Sequence, residues 1–176
     1  TYVPYIGLGF MLAYAITRIK KIHLRRGAWT AFFLVVLVFS YASHQRTKVW
    51  KNDITLYSDV LDKNPNIIEA LNNRGNVYNK LGKYHLAIRD FNRGISLSPN
   101  HKFLYNNRAQ SYFNLDSNYL ALKDLRKTIE LDPFYLEAYI NKVNVHLKIN
   151  QPEKAIEVYS RAIRTMPYRA KLYLAR

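Results

Sequence analysis

The chain contains no cysteine, which excludes disulfide staples and thiolate metal centres. Acid is scarce: 12 Asp and Glu stand against 27 Lys and Arg, for a formal net charge of +15. No HExxH, GxxxxGK or GxSxG occurs, so the local signatures of a zinc hydrolase, a phosphate-binding loop and a serine hydrolase are missing. His85, His101 and His146 share no ligand spacing, and no pair of carboxylates is placed for acid–base work. The sequence therefore predicts no catalytic residue, no cofactor and no metal in this chain. Two stretches also lack charge altogether, Thr1 to Thr17 and Gly27 to Gln45.

Those uncharged runs predict a membrane segment over residues 1–45, with lipid as its partner. As helices at about 1.5 Å per residue they would extend roughly 25–28 Å, close to a hydrocarbon core of about 30 Å. Residues Ala28 to Ser43 are apolar on every face, with no polar stripe of the kind a soluble surface helix shows. Two spanning helices are expected, joined by a basic loop over 18–26 that holds Arg18, Lys20, Lys21, Arg25 and Arg26. Short basic loops stay cytoplasmic, which places everything after Gln45 outside the cytoplasm, in a periplasm or an ER lumen. No small-residue cleavage site follows a basic start, against a signal peptide. Opening on Thr1 inside an apolar run, the sequence reads as a piece of a longer protein.

Downstream, Pro65, Pro99, Pro133 and Pro167 are each separated by 34 residues. Taking Pro99 as position 32 of a 34-residue unit gives repeats 68–101, 102–135 and 136–169. Position 20 is then Ala87, Ala121 and Ala155, and position 28 is Ile95, Ile129 and Ile163. Position 4 is Leu71, Tyr105 and Tyr139; position 8 is Gly75, Ala109 and Val143. Position 11 is Tyr78, Tyr112 and His146, and position 24 is Phe91, Leu125 and Tyr159.

This set resembles the tetratricopeptide-repeat (TPR) family. The resemblance implies an all-α solenoid of helical hairpins, an A and a B helix per repeat, wound as a right-handed superhelix. Neither helix buries its apolar face alone, and stacking supplies the missing surface. Gly82 suits a positive φ after an A helix, Pro152 fits the first turn of a B helix, and each position-32 proline stops a B helix. Val143 and His146 depart from the family pattern and predict looser packing in the third repeat. The register extends to a linking, capping helix within 46–67, read as Trp50 to Pro65, and to a further A helix starting at 170–176 with Tyr173 at position 4. Asp90 and Asp124 share position 23, as solvated or interhelical groups on B helices.

In this family the A helices line the ligand face. The resemblance therefore implies a protein or extended peptide as partner, contacted by Asn72, Asn73, Asn76, Asn106, Asn107, Gln110, Asn141 and Asn144, whose amides can pair with peptide backbone. Co-chaperone TPRs grip a terminal carboxylate with Lys, Asn, Asn, Lys and Arg. Here Asn76 and Asn107 match, whereas Asn72, Glu137 and Asn141 replace the cations, so charge-assisted pairing is lost. Nucleic acid is not expected, because residues 68–169 spread 16 basic and 9 acidic residues without a continuous basic stripe.

The order of elements in residues 1–60 resembles the C-terminal end of polytopic TPR membrane proteins, including transmembrane O-mannosyltransferases with lumenal TPRs. Two functions follow: a membrane-anchored scaffold without chemistry of its own, or the partner-binding tail of a GT-C-type glycosyltransferase whose catalytic part lies upstream.

Overall fold

The computed structural model describes residues 3–47 and 52–168, and the chain divides into two compact units, Thr1–Lys51 and Asn52–Arg176. The first holds α1 (Val3–Thr17) and α2 (Ile22–Thr47). Only α2, among the described residues, is long and apolar enough to cross a membrane, over Ile22–His44. Its side chains from Phe33 to Phe39 are exposed, so they are not serving a protein core. The described part of α1 is 15 residues long, about 22 Å as a helix. Of the expected pair of spanning helices, α2 alone meets the length and composition of a span among the described residues. The expected basic loop over 18–26 also shrinks, to Arg18–Lys21. No breaker precedes Arg25 and Arg26, and both lie in the opening turns of α2.

Among its described residues the second unit is a series of seven helices: α3 (Asp53–Lys63), α4 (Ile68–Lys80), α5 (Tyr84–Leu97), α6 (Lys102–Asn114), α7 (Asn118–Leu131), α8 (Leu136–Lys148) and α9 (Pro152–Thr165). No strand occurs among the described residues. Hairpin mates α4/α5, α6/α7 and α8/α9 pack together, each B helix packs on the next A helix, and α4, α6 and α8 touch in series. This is a solenoid of stacked helical hairpins, with α3 packed on α4 at its start. Asn52 fixes where α3 begins, accepting a hydrogen bond from the Thr55 amide at 2.9 Å while its own amide donates to Thr55 Oγ1 at 3.3 Å. The helix read as Trp50 to Pro65 is α3 over Asp53–Lys63, its expected start at Trp50 lying outside the described residues, as does the further helix read over 170–176.

Both ends of the hairpins are set by local chemistry. Before Pro65, Pro99, Pro133 and Pro167 stand Asn64, Ser98, Asp132 and Met166, with φ between −138° and −145°. The proline ring excludes the helical region for the residue before it, so α3, α5, α7 and α9 all stop two residues short. A helices end in left-handed residues: Gly82 (φ 70°), Asp116 (φ 56°) and Asn150 (φ 53°). The next amide reaches back five residues at 2.9 Å each time, Lys83 to Tyr78, Ser117 to Tyr112 and Gln151 to His146, closing a Schellman cap.

The core lies between A and B helices. Ala87, Ala121 and Ala155 sit at the crossings with at most 3% exposure, where a larger side chain would force the helices apart. Positions 8 and 24 share one core: Gly75 faces the buried Phe91, and Ala109 and Leu125 are buried in the same cluster. The looseness expected of the third repeat is absent, since Val143 is fully buried and His146 nearly so, held by a 3.2 Å contact of Nδ1 with Gln151 Oε1.

In the first two repeats an ion pair ties A to B. The Arg74 Nε and Nη2 donate to Asp90 at 2.7 and 2.8 Å, and Arg108 grips Asp124 the same way at 2.7 Å twice. Asp90 and Asp124 are 3% exposed. They are interhelical groups, not solvated ones. Hydrogen bonding to Asp90 holds the Arg74 pKa above its ordinary value. For Arg108, burial opposes the charge, and the Asp124 carboxylate outweighs it.

Candidate functional site

Successive A helices bring their position-5 and position-6 amides side by side. Asn141 Nδ2 donates to Asn106 Oδ1 at 3.0 Å, Asn106 Nδ2 to Asn107 Oδ1 at 3.4 Å, and Asn107 Nδ2 to Asn72 Oδ1 at 2.9 Å. Four of the sequence-predicted residues thus form one relay across α8, α6 and α4. A second link joins α4 to α6: Ser111 Oγ donates to Asn79 Oδ1 at 2.7 Å, and Asn79 Nδ2 donates to the Asn107 carbonyl at 3.2 Å. Ser111 and Asn79 were missed by the sequence reading. Their signal is a polar residue at positions 10 and 12, facing a gap that appears only when two A helices are placed together.

The remaining predicted residues are differently placed. Gln110, Asn141 and Asn144 line a small cavity of about 90 Å³ with Ala109, Phe113 and Val145. Asn73 and Asn76 are half-buried on α4, outside that cavity. The side chains of Asn73, Asn76, Gln110 and Asn144 make no hydrogen bond within the described residues, so their donors and acceptors stay available. Position 9 therefore presents one unspent amide per repeat: Asn76, Gln110 and Asn144.

The electrostatics of this face are muted. Glu137 is exposed where a clamp cation would stand. Lys148, which contacts the cavity-lining Phe113, is engaged. It pairs with Asp116 at 2.6 Å, donates to the Phe113 carbonyl at 2.8 Å and lies 4.3 Å from the Phe113 ring centroid. No group of three or more His, Cys, Asp or Glu is placed to hold a metal among the described residues. The arrangement suits neutral hydrogen bonding to an extended backbone.

The model of the tetratricopeptide repeat matches residues 68–101, 104–135 and 136–165. Among solved structures the chain is similar to MamA, at 28% identity and a TM-score of 0.62, over 72% of this chain and 76% of that one. It is also similar to the first TPR of Spaghetti (RPAP3) bound to the HSP90 peptide SRMEEVD, at 27% identity and a TM-score of 0.53, over 62% and 94%. The second TPR of Spaghetti with the same peptide gives 26% and 0.53, over 58% and 95%. A comparison of the sequence with curated proteins found no significant match.

Proposed function

Because this chain belongs to the tetratricopeptide-repeat family, we propose that it is a membrane-anchored interaction scaffold whose A-helix face takes an extended peptide segment of a protein partner. One observation carries the reading: Asn76, Gln110 and Asn144 stand once per repeat, unspent, beside a relay that fixes the spacing of the A helices. The similar TPRs of Spaghetti hold the HSP90 peptide SRMEEVD, which ends in Asp. Here the clamp cations are replaced by Asn72, Glu137 and Asn141, so the favoured ligand is an internal, neutral segment rather than a chain terminus. The test is affinity for the best-binding member of a peptide array, measured on the full chain in detergent micelles. Each lost hydrogen bond is worth about 0.5–1.5 kcal/mol, so N76A/Q110A/N144A should weaken binding by about tenfold or more. Undiminished affinity would remove the amides from the site.

The length, composition and exposure of α2 support the anchor, and the five cations from Arg18 to Arg26 favour the cytoplasmic side for its start. The repeats then lie outside the cytoplasm. Asn100 is exposed in an inter-repeat turn and the chain has no cysteine, so Asn100→Cys should react with an impermeant maleimide in intact cells. Labelling only after lysis would reverse the topology. The resemblance of residues 1–60 to polytopic glycosyltransferases supports a second reading, the binding tail of such an enzyme. An upstream reading frame with many spanning helices and an acidic first loop is its test.

A further inference from the structure

The third repeat breaks the pattern of interhelical ion pairs. Where Arg74 and Arg108 face Asp90 and Asp124, position 7 is Lys142 and position 23 is Val158. Lys142, on α8, is half-buried, with Arg126 of α7 and Arg161 of α9 beside it. With Ile129 and Glu130 these three cations line a cleft of about 190 Å³. None of the three makes an ion pair or hydrogen bond among the described residues. The acid of the cleft, Glu130, lies 3.7 Å from Lys127. Burial, then the fields of Arg126 and Arg161, lower the Lys142 pKa. An anion in the cleft would relieve both costs.

We propose that this cleft docks an acidic side chain, Asp or Glu, of a protein partner. The fold itself indicates which anion belongs there: twice in this chain the position-7 cation is met by a carboxylate, gripped through two hydrogen bonds of 2.7–2.8 Å. In the third repeat that carboxylate is missing from within. Residues 169–176 hold no acidic side chain to supply it. A second cleft on the same side, sharing Arg126 and Glu130 and adding Lys123 and Lys127, extends the positive surface and would steer an acidic segment in. The proposal does not involve the A-helix amides.

The test measures fluorescence anisotropy of a labelled ten-residue peptide of alternating Glu and Ser with the full chain in detergent micelles. The cleft pair R126Q/R161Q, both exposed positions, should weaken binding by about tenfold or more, as charge-assisted hydrogen bonds are lost. Val158→Asp should block the site from inside and weaken binding to a similar degree in protein that keeps its melting transition. K80Q/K83Q removes the same charge from exposed positions of the first repeat and should change affinity by less than about twofold. Equal losses in the two double variants would overturn the proposal, as would an unchanged R126Q/R161Q. Displacement by inorganic phosphate, but not by acetate at equal concentration, would overturn the assignment to a carboxylate.

Discussion

At Gly82 the backbone turns left-handed with φ of 70°, and no atom lies within 4 Å of where a Cβ would stand. Gly82→Ala therefore meets only backbone strain, about 1–2 kcal/mol, readable as a lower urea midpoint; Asn, which Asn150 shows is accepted here, should cost less. Gly75 is the opposite case. A Cβ there would lie 2.5 Å from the fully buried Phe91 ring, so Gly75→Ala should destabilise by about 1–3 kcal/mol despite a better helix propensity. The first glycine was legible from its place after an apolar helix, the second only as a small residue at position 8, since which ring fills the space depends on A–B packing. His146 supplies a pH effect. Burial lowers its pKa from the ordinary value, with Gln151 partly opposing. As pH falls through about 6.5, the unfolded chain takes the proton first. Stability then drops, levelling off once the folded form is also protonated. His146→Tyr, the residue at this position in the other repeats, should flatten the melting temperature between pH 8 and 5 relative to wild type.

Between helices, the strongest single ties are the two Arg–carboxylate grips. Asp90→Ala leaves Arg74 without its partner and should cost about 3–5 kcal/mol, seen in the melting transition. Sequence alone left Asp90 undecided between water and a neighbour. The deciding residue, Arg74, stands 16 positions earlier and comes alongside only once α4 folds back on α5. The same limit hid the amide relay. Asn106 and Asn141 are 35 residues apart, one repeat plus one, and their meeting follows from the offset between adjacent A helices. The proline stops were legible because they act on the residue directly before them. The connection between α1 and α2 was misjudged for a related reason: charge marked it as a loop, yet Lys and Arg are sound helix formers, and α2 starts inside the basic run.

Across the whole molecule, the repeats were legible because a 34-residue period survives without an insertion. The core is uneven. Among the described residues thirteen buried apolar side chains form one cluster through the second and third repeats, whereas the first repeat and α3 hold two smaller clusters. In a stacked array, protection follows burial and neighbours on both sides, so amide exchange should be slowest in α7 and α8 and fastest in α3. The Asn141–Asn106–Asn107–Asn72 relay carries a last consequence. All three donated N–H groups point along it from Asn141 to Asn72, so the groove has a heading, ending in an unused carbonyl at Asn141 and unused N–H groups at Asn72. Such a track is not a palindrome: a ligand laid along it forward and one laid backward meet different partners, and a peptide of reversed sequence should bind less tightly than the original.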